Sequence, residues 1–268
     1  MRHAIMGLVT AVLLSSGSGC ILGNRPQFVR GGSDPNQRTW YLDGAGNLGF
    51  GKETVPLGLE DGGYQGQFKH FIWATYLGPI VDQMVISYNR RQGTVLAKEI
   101  AKYLDEHPGA SVNIIGLSAG TGIAVFALEA LPSKYQVDNV IMLSSSLSAE
   151  YDLSRALRRV RGGIYFFWSP DDPVLKGVVP LVGTVDREYT SQVAGLVGAR
   201  VPPSASRQTR EAYAARVHNY RWYPHGGVGP IKLRHAGTTD RAFIREMVAP
   251  ILVRGRSRAP AQPATRPS

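Results

Sequence analysis

Ser118 stands in the pentapeptide Gly116-Leu117-Ser118-Ala119-Gly120, a G-x-S-x-G pattern in which a serine hydroxyl could attack a carbonyl carbon. A hydroxyl is a weak nucleophile at neutral pH. It needs a base to take its proton and an acid to hold that base in the right tautomer. Both residue types follow downstream. Asp171 and Asp172 lie in Ser169-Pro170-Asp171-Asp172-Pro173, and His225 and His235 come later, so the order is Ser, Asp, His. The plain alternatives are a turn-capping aspartate and an exposed loop imidazole. His70, His107 and His218 fall within strands or at a helix end, where a structural role is expected.

A nucleophile needs a rigid support, and the sequence offers one. Val112-Asn113-Ile114-Ile115 reads as a strand buried on both faces, and an apolar helix follows from Ala119 to about Leu131. Glycines at 116 and 120 leave room for the strained backbone of so sharp a turn. Other strands are expected at Thr39–Leu42, Phe68–Ala74, Val140–Leu143, Ile164–Trp168 and Val217–Tyr223. Helices are expected at about Arg91–Glu106 and Thr239–Val253, the latter burying Phe243, Met247 and Ile251 and disturbed by Pro250. Strands alternating with helices predict an α/β domain: a mainly parallel sheet of about six strands, covered by helices on both faces. In such sheets reactive residues gather at the carboxyl ends of the strands.

The elbow, the residue order and the Ser-Pro-Asp-Asp-Pro-Val-Leu segment together resemble the α/β-hydrolase family over roughly Thr39 to Leu252. The resemblance implies Asp172 rather than Asp171 as the acid, since the family's acid commonly precedes a short Pro-Val step. It implies His235 rather than His225 as the base, because His235-Ala-Gly-Thr-Thr-Asp-Arg-Ala-Phe resembles the loop before the family's last helix. One oxyanion donor should be the N–H of Ala119, directly after the serine. The second is implied at Ala45, since Asp43-Gly44-Ala45-Gly46 resembles the family's His-Gly-x-Gly loop with aspartate in place of histidine.

Gly44-Ala45-Gly46-Asn47-Leu48-Gly49 also satisfies G-x-G-x-x-G, the dinucleotide-binding pattern. That site needs a helix opening at the loop and an acid about 20 residues on. Phe50 to Gly66 is too rich in glycine for a long helix, and Glu60 and Asp61 arrive early. No cofactor is implied, and no metal-ligand spacing occurs.

The chain of 268 residues suits one large domain. Arg2 and His3, the apolar run Ala4–Leu14 and the small residues up to Cys20 read as an export signal over 1–20, too short to span a bilayer. Cys20 is the only cysteine, so no intramolecular disulfide can form. The Gly-Ser-Gly-Cys ending resembles a lipoprotein lipobox, with Gly17 where leucine is typical, and implies a lipidated Cys20; simple secretion is the alternative. Residues 21–37 read as a tether or an irregular lead-in, 38–253 as the hydrolase domain and 254–268 as a basic, Pro/Ala-rich disordered tail. The net charge is +10, but Arg2 and four tail arginines account for half of it. No basic stripe with interleaved aromatics remains, so no nucleic-acid partner is expected.

These features predict an exported serine hydrolase of the cell envelope, membrane-anchored or secreted, acting on an ester or acyl substrate such as a lipid. A long excursion from Val174 to Ala215, with its apolar Val178–Val182, could cover the site. The alternative is a hydrolase-like envelope protein that binds a ligand or partner without turnover.

Overall fold

The computed structural model describes residues 29–222 and 234–254. Cys20, His225 and the basic tail lie outside them. Seven strands form one sheet in the order β1-β3-β2-β4-β5-β6-β7: Val29–Arg30, Asp34–Leu42, Gly66–His70, Ser111–Leu117, Asn139–Leu143, Ile164–Trp168 and Val217–Arg221 for β1 to β7. Only the two-residue β1 runs antiparallel, against β3. Every other pairing is parallel. Sheet structure thus begins before residue 38, inside the segment expected to be a tether or an irregular lead-in, and Arg30 closes an ion pair with Glu60 there. The apolar pattern of the lead-in is too short to announce a strand.

The period-two alternation of a strand buries both faces of the sheet. In β2, Trp40 and Leu42 pack into one core while Tyr41 enters the other. In β4, Val112 and Ile114 face the first core, and Ile115 and Leu117 the second. The first core is closed by the long helix Ile86–Glu106, through Leu96, Ile100 and Tyr103, and by the elbow helix Gly120–Ala130. The elbow helix is buried from Gly120 to Leu128, as an apolar helix in the centre of a fold must be. The second core is closed by Val55 and Leu59 of the short helix Thr54–Asp61 and by the closing helix. Pro56 is tolerated there because first-turn N–H groups have no intrahelical acceptor.

The closing helix differs from its expected register. It runs through Arg241–Phe243, a π-helical turn at Ile244–Val248, and Ala249–Arg254. Ile244, Val248 and Leu252 are buried, whereas Met247 is 41% exposed. Pro250 has no N–H for the carbonyl four residues back and its ring crowds that carbonyl. A wider turn just upstream absorbs the conflict and turns the apolar face by one residue. Each of the three buried aliphatic side chains contributes about 2 kcal/mol by burial.

The excursion after β6 folds as short helices at Pro173–Gly177, Val179–Val182 and Ala194–Val197, then Arg207–Arg216. Leu175, Val179, Val193 and Leu196 form a small core of their own. Among the described residues, no helix is long and apolar enough to cross a membrane.

Candidate active site

Ser118 adopts a left-handed backbone, with φ of 51°, at the junction of β4 and the elbow helix. That conformation is uncommon for a residue with a Cβ and marks stored strain. The flanking glycines are required by close approach rather than by their own dihedrals. A Cβ at Gly116 would stand 2.9 Å from the Thr121 backbone, and one at Gly120 would stand 2.5 Å from the carbonyl oxygens of Leu42 and Asp43. The strained turn is held by the Ser118 N–H donating to Leu143 O at 2.9 Å, and by the Thr121 and Ser146 N–H groups donating to Ser118 O. Ser118 remains 9% exposed.

The structure separates the two aspartates. Asp172 is 1% exposed, and its Oδ2 lies 2.6 Å from His235 Nδ1. Its Oδ1 accepts the Val174 and Leu175 N–H groups at 3.0 and 3.1 Å, which caps the helix Pro173–Gly177. Asp172 is thus a helix cap and the partner of His235 at once. Asp171 points outward and pairs with Lys176 at 3.6 Å, where its side chain is 62% exposed.

His235 precedes the closing helix, and its side chain is 13% exposed. Its carbonyl accepts the Ser144 hydroxyl at 3.0 Å. Ser144 directly follows Leu143, the residue that anchors the Ser118 N–H, so His235 and Ser118 are tied to the same end of β5. Among the described residues no direct hydrogen bond joins Ser118 Oγ to the imidazole; such bonds commonly tighten only with substrate bound. His107 stacks on Tyr103, His218 stacks on Tyr165, and His70 is buried beside Tyr41.

The Asp43–Gly46 loop lies against the elbow. A methyl group placed on Gly44 would stand 3.4 Å from Ser118 Cβ and 3.9 Å from its Oγ. Asp43 is buried and accepts the Gly44 N–H at 2.8 Å and the Gly49 N–H at 2.6 Å. Burial pushes its carboxyl up to about 7, against the pull of the N–H groups of Gly44, Gly49 and Phe50. The N–H groups of Ala45 and Ala119 have no acceptor among the described residues. The loop does not open a helix, since Thr54–Asp61 starts further on and Glu60 and Asp61 pair with Arg30 and Arg241. Among the described residues no group of three or more His, Cys, Asp or Glu side chains is arranged to hold a metal.

Residues that carry these interactions without having been singled out in the sequence include Asp82, Asn47 and Trp73. Asp82 accepts the Gly46 N–H; Asn47 Oδ1 accepts the N–H groups of Trp73 and Ala74; and Trp73 Nε1 donates to Asp43 O. Ser144 to Ser146 were visible only as a serine run ending a strand. A buried polar cluster between two apolar segments is the signal that could have drawn attention to them.

The parallel sheet, its strand order and the strand–serine turn–helix unit give the chain an α/β-hydrolase fold. No family model and no curated protein matches the sequence. Among solved structures, the chain resembles ESTFA in an iron-lacking apo form at 12% identity, covering 95% of this chain and 92% of that one with a TM-score of 0.46. It also resembles a cutinase-like protein from Cryptococcus sp. at 16% identity, covering 84% and 98% with a TM-score of 0.44. A third likeness is to MenH from S. aureus at 9% identity, covering 86% and 98%, again with a TM-score of 0.44.

Proposed function

We propose that the protein is an exported serine hydrolase that cleaves carboxylic esters through an acyl-enzyme. The observation that carries this reading is the 2.6 Å contact between His235 Nδ1 and buried Asp172, at the sheet end that also presents strained Ser118. Ser118 Oγ attacks the ester carbonyl carbon while His235 Nε2 takes its proton. Asp172 holds the imidazole in the tautomer with Nδ1–H and favours the imidazolium that results. The tetrahedral oxyanion accepts hydrogen bonds from Ala119 and Ala45, a donor of this kind contributing about 3 kcal/mol. Collapse breaks the C–O bond and His235 protonates the departing alkoxide; water, deprotonated by His235, then attacks the acyl carbon, the bond to Ser118 Oγ breaks, Oγ takes the proton back from His235 and the carboxylic acid leaves.

Three exposed leucines, in the segments that follow β2, β3 and β6, offer apolar surface to an acyl group. Leu48, beside the Ala45 loop, and Leu77 and Leu181 are 56%, 74% and 62% exposed. The helices Pro79–Met84 and Val179–Val182 meet, and Gln83 Nε2 donates to Gly183 O at 3.1 Å. Export and lipidation of Cys20 belong to the same reading, supported by the leader residues 1–20.

A fluorophosphonate probe tests turnover chemistry directly. Labelling should fall on Ser118 and vanish in Ser118→Ala. Labelling at background level in both proteins would leave the non-catalytic binding protein as the better account. Intact mass of membrane-extracted protein should show an acylated Cys20, and a mature chain without Cys20 would overturn lipidation.

A further inference from the structure

The backbone N–H groups of the loop after β2 are disposed of in a definite pattern. Gly44 N–H donates to Asp43 Oδ1 and Gly46 N–H to Asp82 Oδ2, each at 2.8 Å, and Asn47 N–H donates to Gly44 O at 3.0 Å. Ala45 N–H, between the two carboxylate-bound groups, has no acceptor among the described residues. Asp82 comes from the separate helix Pro79–Met84, well downstream of the loop it holds.

Asp82 is fully buried and makes no ion pair among the described residues. Its Oδ1 accepts the Thr75 N–H at 2.7 Å and also the Thr75 hydroxyl, and its backbone carbonyl accepts Asn89 Nδ2 at 2.8 Å. A buried carboxylate without a cation carries a desolvation cost of several kcal/mol, offset here only by hydrogen bonds. A turn that merely needed closing could use a backbone carbonyl at far lower cost. The carboxylate does something a carbonyl on the same loop would not: it binds Gly46 from outside and leaves the turn free to present Ala45.

We propose that Asp82 is a positioning residue, which by holding the Gly46 N–H opposite Asp43's hold on Gly44 keeps the Ala45 N–H unbonded and available to the oxyanion. The proposal rests on the esterase reading above. Asp82 touches no substrate. Its effect reaches the reaction through one peptide group, so it should appear in kcat and not in KM, because the oxyanion exists only beyond the ground state.

The test is a mutant cycle on the full-length protein, with 4-nitrophenyl butyrate as substrate and thermal melting as the check on folding. Ala45→Pro removes the donor itself and should lower kcat by about 10²-fold or more. Asp82→Asn puts an amide donor against an N–H group and should lower kcat by about 10²-fold with KM within about twofold. Thr75→Val, which removes the hydroxyl held by Asp82 and with it the acceptor of the Leu77 N–H, should cost about fivefold in kcat. In the Ala45→Pro background both further losses should shrink to within about twofold, since the group they act through is already gone. Unchanged kcat in Asp82→Asn, or equal losses in the two backgrounds, would overturn the positioning role. If Asp82→Asn does not fold, the Thr75→Val cycle decides on the same terms. A wild-type protein that hydrolyses no ester and is not labelled at Ser118 would sink the esterase reading; turnover with additive losses would sink the role of Asp82 alone.

Discussion

The Ser144 hydroxyl donates to the backbone carbonyl of His235 at 3.0 Å, across a separation of 91 residues. Ser144 has φ of 45°, so a second non-glycine residue in the left-handed region lies at the same sheet end as Ser118. Its own N–H donates to Phe167 O at 3.1 Å. Ser144 thus joins β5, β6 and the segment bearing the imidazole, and it sets where His235 can sit relative to Ser118.

Removing that tie should loosen the base without removing it. Ser144→Ala is expected to lower kcat for a short-chain ester by about five- to tenfold and stability by about 1 kcal/mol. Steady-state kinetics and urea unfolding of the same preparation check both. A kcat equal to wild type would show that the carbonyl tie does not position the imidazole.

The two neighbouring aspartates should differ sharply. Asp172→Asn keeps the size of the side chain but favours the wrong imidazole tautomer, and is expected to lower kcat by about 10⁴-fold. Asp171→Asn loses only an exposed contact with Lys176 and should stay within about twofold of wild type. Comparable losses in the two variants would reassign the acid.

His235→Ala should abolish all but about 10⁻⁴ of the activity, while His225→Ala should retain most of it. Titrating each variant with a fluorophosphonate gives the same answer by labelling rate. A silent His225→Ala protein beside an active His235→Ala protein would move the base to His225.

His70 gives a pH signature independent of catalysis. Burial, with Lys52 adding to it, pushes its imidazole down to about 4. The folded protein therefore binds fewer protons than the unfolded chain between about pH 4 and 6.5. Stability tied to this residue is complete above that window and is lost as pH falls through it. The stability of wild type relative to His70→Gln should fall by about 3 kcal/mol between pH 7 and pH 4, read by chemical denaturation. A difference independent of pH would mean that His70 stays hydrated in the fold.

Much of this architecture is legible in the sequence because burial on both faces leaves continuous apolar runs. Ile164–Trp168 coincides with β6, and Val112–Ile115 lies inside β4, since each is bounded by turn residues. The serine turn is legible for a related reason: its glycines answer steric demands made by neighbouring backbone. Asp82 is not, because its partner is a backbone N–H of another segment and leaves no trace in residue spacing. The register of the closing helix is not legible, because periodicity presumes one uniform helix and Pro250 forces a wider turn. The start of β2 at Asp34 leaves no pattern in the sequence, because residues that pair through their backbones need no apolar alternation.

The segment bearing His235 follows β7, and β7 can join the sheet only beside β6. A chain folded from β2 through β5 would already possess the elbow and its helix, yet would lack both Asp172, which follows β6, and His235, which follows β7. With the proposed triad, turnover would report assembly of the last part of the sheet. During refolding, recovered sheet signal should precede recovered ester cleavage, making catalysis a clock for the slow, sequence-distant docking that finishes the fold.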